Sequence, residues 1–278
     1  MADISILDSV ALGIVEGLTE FLPVSSTGHL TITEKILGLP IDDKGVTAYT
    51  AIIQMGAIAA VLVYFFTDIV RIVSAWVRGL FHAEVRGTFD YRFGWFVIWG
   101  SLPIAVVGFL ARDLISGSLR SLWVVGIALI AWSAVMVLAE SRATQRRTEQ
   151  ETTLTDVLVI GLVQCIALVP GISRSGATIS AGLLRGLDRV TATRLSFFLS
   201  IPALVGAGLY ELKDAVQESV PVGPLVVGIV VSFVVAYASI AWLLRFVAGH
   251  PITLFVPYRV ALGLLLLGLL AAGTVSAT

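Results

Sequence analysis

The chain has 278 residues, of which 57% are hydrophobic and only 13% charged, with a net charge of -1. Soluble domains carry about 25% charged residues, so this chain has too few to cover a water-facing surface and reads as a membrane protein. The near-neutral balance also excludes a nucleic-acid partner, which needs a basic face.

Mean hydropathy is +0.96. The single cysteine, Cys165, stands in an apolar run and has no intrachain partner for a disulfide. The first residues lack the basic region that opens a cleavable signal peptide.

An apolar stretch over about 4–21 runs into Pro23 and the hydroxyl cluster Ser25-Ser26-Thr27, then resumes over 27–37. Farther on, 154–169 runs into Pro170-Gly171 and Ser173-Arg174-Ser175, then resumes over 175–186. Six longer stretches, about 47–66, 93–111, 119–139, 193–210, 222–244 and 253–273, meet the roughly 20 apolar residues of a spanning helix. A lipid-facing span cannot carry the Pro/Gly/Ser interruptions. A hairpin that enters and turns back can, if its irregular backbone is buried in protein or lines a wet cavity. The expected fold is all-α: a polytopic integral membrane protein of one domain, 1–278, with six transmembrane helices plus two re-entrant helical hairpins at 4–37 and 154–186. Residues 140–153 form a charged loop between the halves.

The two interrupted stretches are related at a fixed offset of 148 residues. Gly13-Ile-Val-Glu16 lies over Gly161-Leu-Val-Gln164, Val24-Ser25 over Ile172-Ser173, Thr27 over Ser175, and Gly28 over Gly176. Each repeat, 1–139 and 154–278, is a hairpin followed by three spans. Three is odd, so the second repeat enters the membrane inverted, an arrangement that sets broken helices face to face near the midplane. Cytoplasmic loops carry the excess of Lys and Arg. With the loop after span 47–66 inside, twelve arginines fall inside (Arg71, Arg78, Arg86, Arg92, Arg142, Arg146, Arg147, Arg185, Arg189, Arg194, Arg245, Arg259). Five basic residues (Lys35, Lys44, Arg112, Arg120, Lys213) fall outside. Both termini then lie outside.

Glu16 and Glu20 are spaced i,i+4, which puts both carboxylates on one helical face. Two such charges in a low-dielectric site call for a shared cation, and a hard divalent ion, Mg²⁺ or Ca²⁺, suits their oxygens. Ionisable residues at membrane depth are functional by default; a water-filled pore lining is the alternative. Pro23 ends one helix and the Ser25-Ser26-Thr27 cluster caps the next, and Ser173-Arg174-Ser175-Gly176 repeats the pattern. Two helix N-termini aimed at one point make an anion site. Arg174 at a buried hairpin tip requires an anion, either phosphate or Glu16/Glu20. His29 can serve as nucleophile or as general acid. Together these groups suggest phosphoryl chemistry on a lipid.

At these residues the sequence resembles the undecaprenyl-diphosphate phosphatases of the bacitracin-resistance type. Glu16-Gly-Leu-Thr-Glu20 matches their glutamate-rich motif, and Pro170-Gly-Ile-Ser-Arg-Ser-Gly-Ala-Thr178 matches P-G-x-S-R-S-x-x-T. The resemblance covers the whole chain. It implies hydrolysis of the C55 isoprenoid diphosphate to monophosphate and phosphate, a divalent metal, a plasma-membrane site facing the outer side, and bacitracin resistance. Carried over, Glu16 and Glu20 serve metal and diphosphate, and His29 and Arg174 the reacting phosphate. Ser25, Ser26, Thr27, Ser173, Ser175 and Thr178 match as polar or phosphate-contacting positions. The nucleophile is Ser26 activated by His29, or His29 directly. Gln54 in the first span either lines the site or hydrogen-bonds between helices. A homodimer is compatible with the sequence. The rival reading is a transporter or flippase of an anionic lipid or small anion, since inverted repeats with broken helices are also a transporter architecture.

Overall fold

The computed structural model describes residues 4–41, 43–111, 119, 121–217 and 222–277. Two of the basic residues assigned to outside loops, Arg112 and Arg120, lie outside the described residues. Among those described, the chain is helical: α1 Ile6–Thr19, α2 Ser26–Ile36, α3 Lys44–Tyr64, α4 Phe66–Phe81, α5 Phe89–Leu110, α6 Leu122–Arg142, α7 Leu154–Gln164, α8 Arg174–Leu184, α9 Arg189–Gln217, α10 Val222–Gly249 and α11 Val256–Ala271. Among the described residues six helical segments are long and apolar enough to cross a bilayer: Lys44–Tyr64, Phe89–Leu110, Leu122–Arg142, Arg189–Gly208, Val222–Gly249 and Ile252–Ala271. They coincide with the six expected spans and extend several past the apolar windows. The chain is therefore built as a multi-pass membrane protein.

The other helices of the two interrupted stretches are too short to cross. α1 has 14 residues, about 21 Å at 1.5 Å per residue, against a hydrocarbon core of about 30 Å. Ser5 and Asp8 form a capping box at its start, and Thr153 and Asp156 do the same for α7. α1 packs back against α2, and α7 against α8, so each pair is a helix–turn–helix.

The first helix of each pair packs on a span from the opposite half of the chain. α1 lies on α10, where a Cβ on Gly13 would stand 2.8 Å from the Gly228 carbonyl oxygen and one on Gly17 would stand 2.7 Å from that of Ser232. α7 lies on α5, where a Cβ on Gly161 would stand 2.3 Å from the Gly100 carbonyl oxygen. Small residues are what let membrane helices approach this closely. These two crossings carry each turn toward the other. Gly161→Ala forces α5 and α7 apart. We expect a stability loss of roughly 1–3 kcal/mol from overpacking, read as a lower melting temperature in detergent. Gly268→Ala, with nothing near its Cβ, should leave it unchanged.

One end of the bundle gathers ion pairs. Asp156 takes Arg185 at 2.8 Å and Arg147, Glu140 takes Arg189, and Arg194 reaches both Asp68 and Glu149 at 3.1 Å. Segments 67–92, 140–153 and 185–194, which the charge rule places on one face, are thus in mutual contact.

Two expectations are corrected. The segment after the first span is not simply a loop but holds α4, an amphipathic helix whose apolar residues repeat at helical spacing and so escape a running hydropathy average. Arg259 is not in a cytoplasmic loop. It sits in the first turns of α11 and is fully buried, because its guanidinium satisfies backbone carbonyls that the two turns leave open.

Candidate active site

The turn between α1 and α2 and the turn between α7 and α8 meet. Each ends on a serine with positive φ: Ser25 at 81° and Ser173 at 78°, 148 positions apart. Non-glycine residues occupy this region at a cost of order 1–3 kcal/mol, and such strain collects at functional sites. Each serine side chain caps the next helix, Ser25 Oγ accepting from Gly28 N at 3.4 Å and Ser173 Oγ from Gly176 N at 3.2 Å.

Three kinds of contact latch the turns together. Gly171 N donates to Ser25 Oγ at 3.1 Å, and Ser175 Oγ donates to the Leu22 carbonyl at 2.9 Å. Gly171 has φ of +99°, and a Cβ there would stand 2.6 Å from the Val125 carbonyl oxygen, so only glycine fits. Arg259 lies behind both turns. Its Nη1 donates to the Pro23 carbonyl at 3.0 Å, its Nη2 to those of Gly171 (3.0 Å) and Ile172 (3.1 Å), and its Nε to Ser133 Oγ at 3.1 Å.

In front of this clamp stand the charged groups. Arg174 Nη2 donates to Glu20 Oε1 at 2.8 Å, both side chains nearly buried. Ser26 Oγ donates to Glu20 Oε2 at 2.6 Å. Glu16 is wholly buried, and neither of its carboxylate oxygens meets a donor. Arg174 also keeps Nε and Nη1 buried with no acceptor. The cluster therefore holds surplus carboxylate acceptors and surplus guanidinium donors side by side. That is unfavourable by itself and suits an occupant with phosphate oxygens and a cation. Two close carboxylates fit a divalent ion that takes one or two protein carboxylates and fills its remaining positions with water and phosphate. Among the described residues no group of three or more His, Cys, Asp or Glu forms a complete ligand set.

The remaining candidates fall in several places. His29 Nδ1 lies 2.7 Å from the Ser25 carbonyl, which can only accept, so Nδ1 carries the proton. Nε2 then accepts from Tyr258 Oη at 2.6 Å, the rings stacked 5.6 Å apart. Ser26 is thus paired with Glu20 and not with His29. Thr178, fully buried, donates from Oγ1 to the Arg174 carbonyl at 2.9 Å and accepts from Ser196 Oγ at 2.6 Å, which braces the first turn of α8. Ser173 and Ser175 hydroxyls lie 3.1 Å apart. Thr27 is exposed, since consecutive helical positions point about 100° apart and Ser26 takes the inward one. Gln54 is half-buried in α3; among the described residues no hydrogen bond joins it to the cluster. Gln164, at the position matching Glu16, is fully buried with both amide atoms unpartnered.

Tyr258 and Arg259 were not among the sequence candidates. The available signal was a lone arginine inside an apolar stretch, which at membrane depth requires partners.

The family model for bacitracin resistance protein BacA matches residues 9–265. The chain belongs to the BacA family. Curated relatives of this BacA-family chain include undecaprenyl-diphosphatase 1 of Streptomyces avermitilis, 58% identical over 99% of this chain and 100% of the relative. Undecaprenyl-diphosphatase of Cutibacterium acnes is 54% identical over 98% and 99%. That of Mycolicibacterium vanbaalenii is 49% identical over 98% and 99%. The segments carrying Glu16, Glu20, Ser26, His29 and Arg174 all fall within the BacA match.

Proposed function

We propose that this BacA-family chain hydrolyses undecaprenyl diphosphate to undecaprenyl phosphate and inorganic phosphate. The full-length relatives named for that activity support the substrate, and the membrane-spanning build suits a C55 lipid. The observation that carries the chemistry is Ser26 Oγ donating to Glu20 Oε2 at 2.6 Å while Arg174 holds the other oxygen of the same carboxylate. Ser26 thus has a base and the phosphate has a cation in one cluster.

In this reading Glu20 accepts the Ser26 proton as Oγ attacks the terminal phosphorus. The bond from phosphorus to the bridging oxygen breaks, and undecaprenyl phosphate leaves. Glu20 passes that proton to the departing undecaprenyl phosphate, and water then attacks the phosphoseryl group, its hydroxyl leaving on inorganic phosphate and its remaining proton restoring Oγ–H. Arg174 Nε and Nη1 meet the non-bridging oxygens, where charge neutralisation is what phosphoryl transfer chiefly demands. The first turns of α2 and α8 add N–H groups that their own helices leave unsatisfied. Glu16, with Glu20, is the holder of a Mg²⁺ or Ca²⁺ ion. The ion supplies further neutralisation of the diphosphate when bound. His29, held by Ser25 and Tyr258, stands one turn past the first cap as a second acid–base group beside Glu20.

The wider setting follows the same reading. The two helix–turn–helix units are re-entrant hairpins of an inverted repeat, 1–139 and 154–278. The protein sits in the plasma membrane with its ion-pair end in the cytoplasm and its site open to the outer side. There it returns the carrier lipid to wall synthesis, and abundance confers bacitracin resistance. A homodimer is compatible with this arrangement.

Detergent-purified protein should release inorganic phosphate from undecaprenyl diphosphate with Mg²⁺ or Ca²⁺, and EDTA should suppress that release. No vectorial transport exists in detergent. Absent turnover there would favour a transporter and sink the enzymatic reading, and turnover indifferent to EDTA would sink the metal.

A further inference from the structure

α4 has three faces at helical spacing. Ile72, Trp76 and Gly79 face the bundle: Gly79 lies under the Tyr91 ring, and Trp76 packs on Gly94 and edge-on to Trp95 at 5.5 Å. Phe66, Val70, Val73, Val77, Leu80 and Phe81 form a second face that is apolar and exposed, Val73 by 51% and Phe81 by 78%. Arg71, Ser74 and Arg78 mark a third, polar face. With Thr88 and Asp90 they border a cleft of about 410 Å³.

The contacts also fix how α4 lies. Asp68 in its first turn reaches Arg194, near the start of α9, and Gly79 in its last turn meets Tyr91, near the start of α5. Arg71 pairs with Asp90 at 3.2 Å while Trp76 meets Gly94 and Trp95. α4 packs on the first turns of α5, Trp76 on Gly94 and Gly79 on Tyr91, while Asp68 ties its other end to the start of α9. α4 joins the starts of two spans that open on the same ion-paired end of the bundle. A helix so placed runs along a membrane face and cannot cross the bilayer. An apolar face flanked by arginines is the composition of an interfacial helix.

We propose that α4 is a lipid-docking element. Its apolar face enters the acyl chains of the leaflet at the ion-paired end, and the Arg71/Arg78 edge binds the phosphates of anionic phospholipids. Arg71 is shared with Asp68 and Asp90. Arg78 is exposed and makes no ion pair among the described residues, so it is the cation free to take a phosphate. The occupant is the leaflet and not a second copy of the chain. The apolar face is contiguous with spans whose exposed apolar sides already require lipid, and its rim carries the charge that anionic headgroups attract.

The test uses full-length protein with Cys165→Ala, spin-labelled at Val73→Cys or Gly87→Cys, in vesicles of phosphatidylcholine with phosphatidylglycerol. The Val73 label should collide with oxygen and be shielded from a water-soluble nickel chelate. The Gly87 label, in open space beyond the helix, should behave the opposite way. A Val73 label as nickel-accessible as Gly87 overturns the docking, and a Val73 label broadened by a neighbouring label at native protein density assigns the face to a second copy. Arg78→Gln should lower the preference for bound phosphatidylglycerol over phosphatidylcholine by up to about fivefold, the weight of one basic residue near an anionic surface. An unchanged preference overturns the headgroup assignment.

Discussion

Arg174→Ala should lower phosphate release from undecaprenyl diphosphate by about 1000-fold, the upper range for losing one preorganised donor to transition-state charge. Arg174 is the cation of the cluster. Without it, Glu16 and Glu20 face each other with no protein counter-charge and the phosphate oxygens lose two donors. Arg174→Lys should retain part of the rate, because an ammonium keeps the charge but not the planar fork. Breaking a buried pair also costs roughly 3–5 kcal/mol of stability. The rates must therefore be read with a melting curve, and the lysine variant separates the two effects. Near-wild-type release by a folded Arg174→Ala protein would place the chemistry elsewhere.

Arg259→Ala should be the most damaging substitution for the fold. Four hydrogen bonds end on its guanidinium, three of them to carbonyls in the two turns. Each carbonyl left buried and unsatisfied costs roughly 1–3 kcal/mol, so a loss of at least about 3 kcal/mol is expected. For a chain this large that is a fall of roughly 6–12 °C in melting temperature. Arg245→Ala is the matched control. The charge rule groups both arginines with the cytoplasmic loops, yet Arg245 is exposed and its removal should change little. Arg259→Lys should fall between, since an ammonium can serve one turn but not both. Equal melting temperatures for the Arg259 and Arg245 alanine variants would contradict the clamp.

The spans and the two interrupted stretches were legible because bilayer thickness sets a length and because Pro, Gly and Ser cannot sit in lipid without a reason. The fixed offset links the two turns in the sequence itself, and α2 and α8 begin and end 148 residues apart, as that offset requires. Side-chain pairings were not legible. The sequence leaves Ser26 activated by His29 and direct attack by His29 both open. The turn instead aims Ser26 at Glu20, while His29 reaches Tyr258 from the far end of the chain. Thr27 matches Ser175 by position but not by direction, since Ser175 is buried against the other turn. Arg259 lies inside the last apolar stretch and was counted with a loop all the same. Its cost at that depth was the clue, and only the tertiary fold reveals the carbonyls that offset it.

In the proposed reaction the two turns act as one catalytic unit, one bringing Glu20 and Ser26 and the other Arg174. A double-mutant cycle across them tests this most directly, with turnover measured for Glu20→Gln, Arg174→Lys and the combined variant against wild type. Residues that act as a unit show losses that do not multiply. The combined variant should therefore release phosphate within about tenfold of the slower single variant. A combined loss equal to the product of the two single losses would mean that the turns contribute independently, and would contradict a shared site.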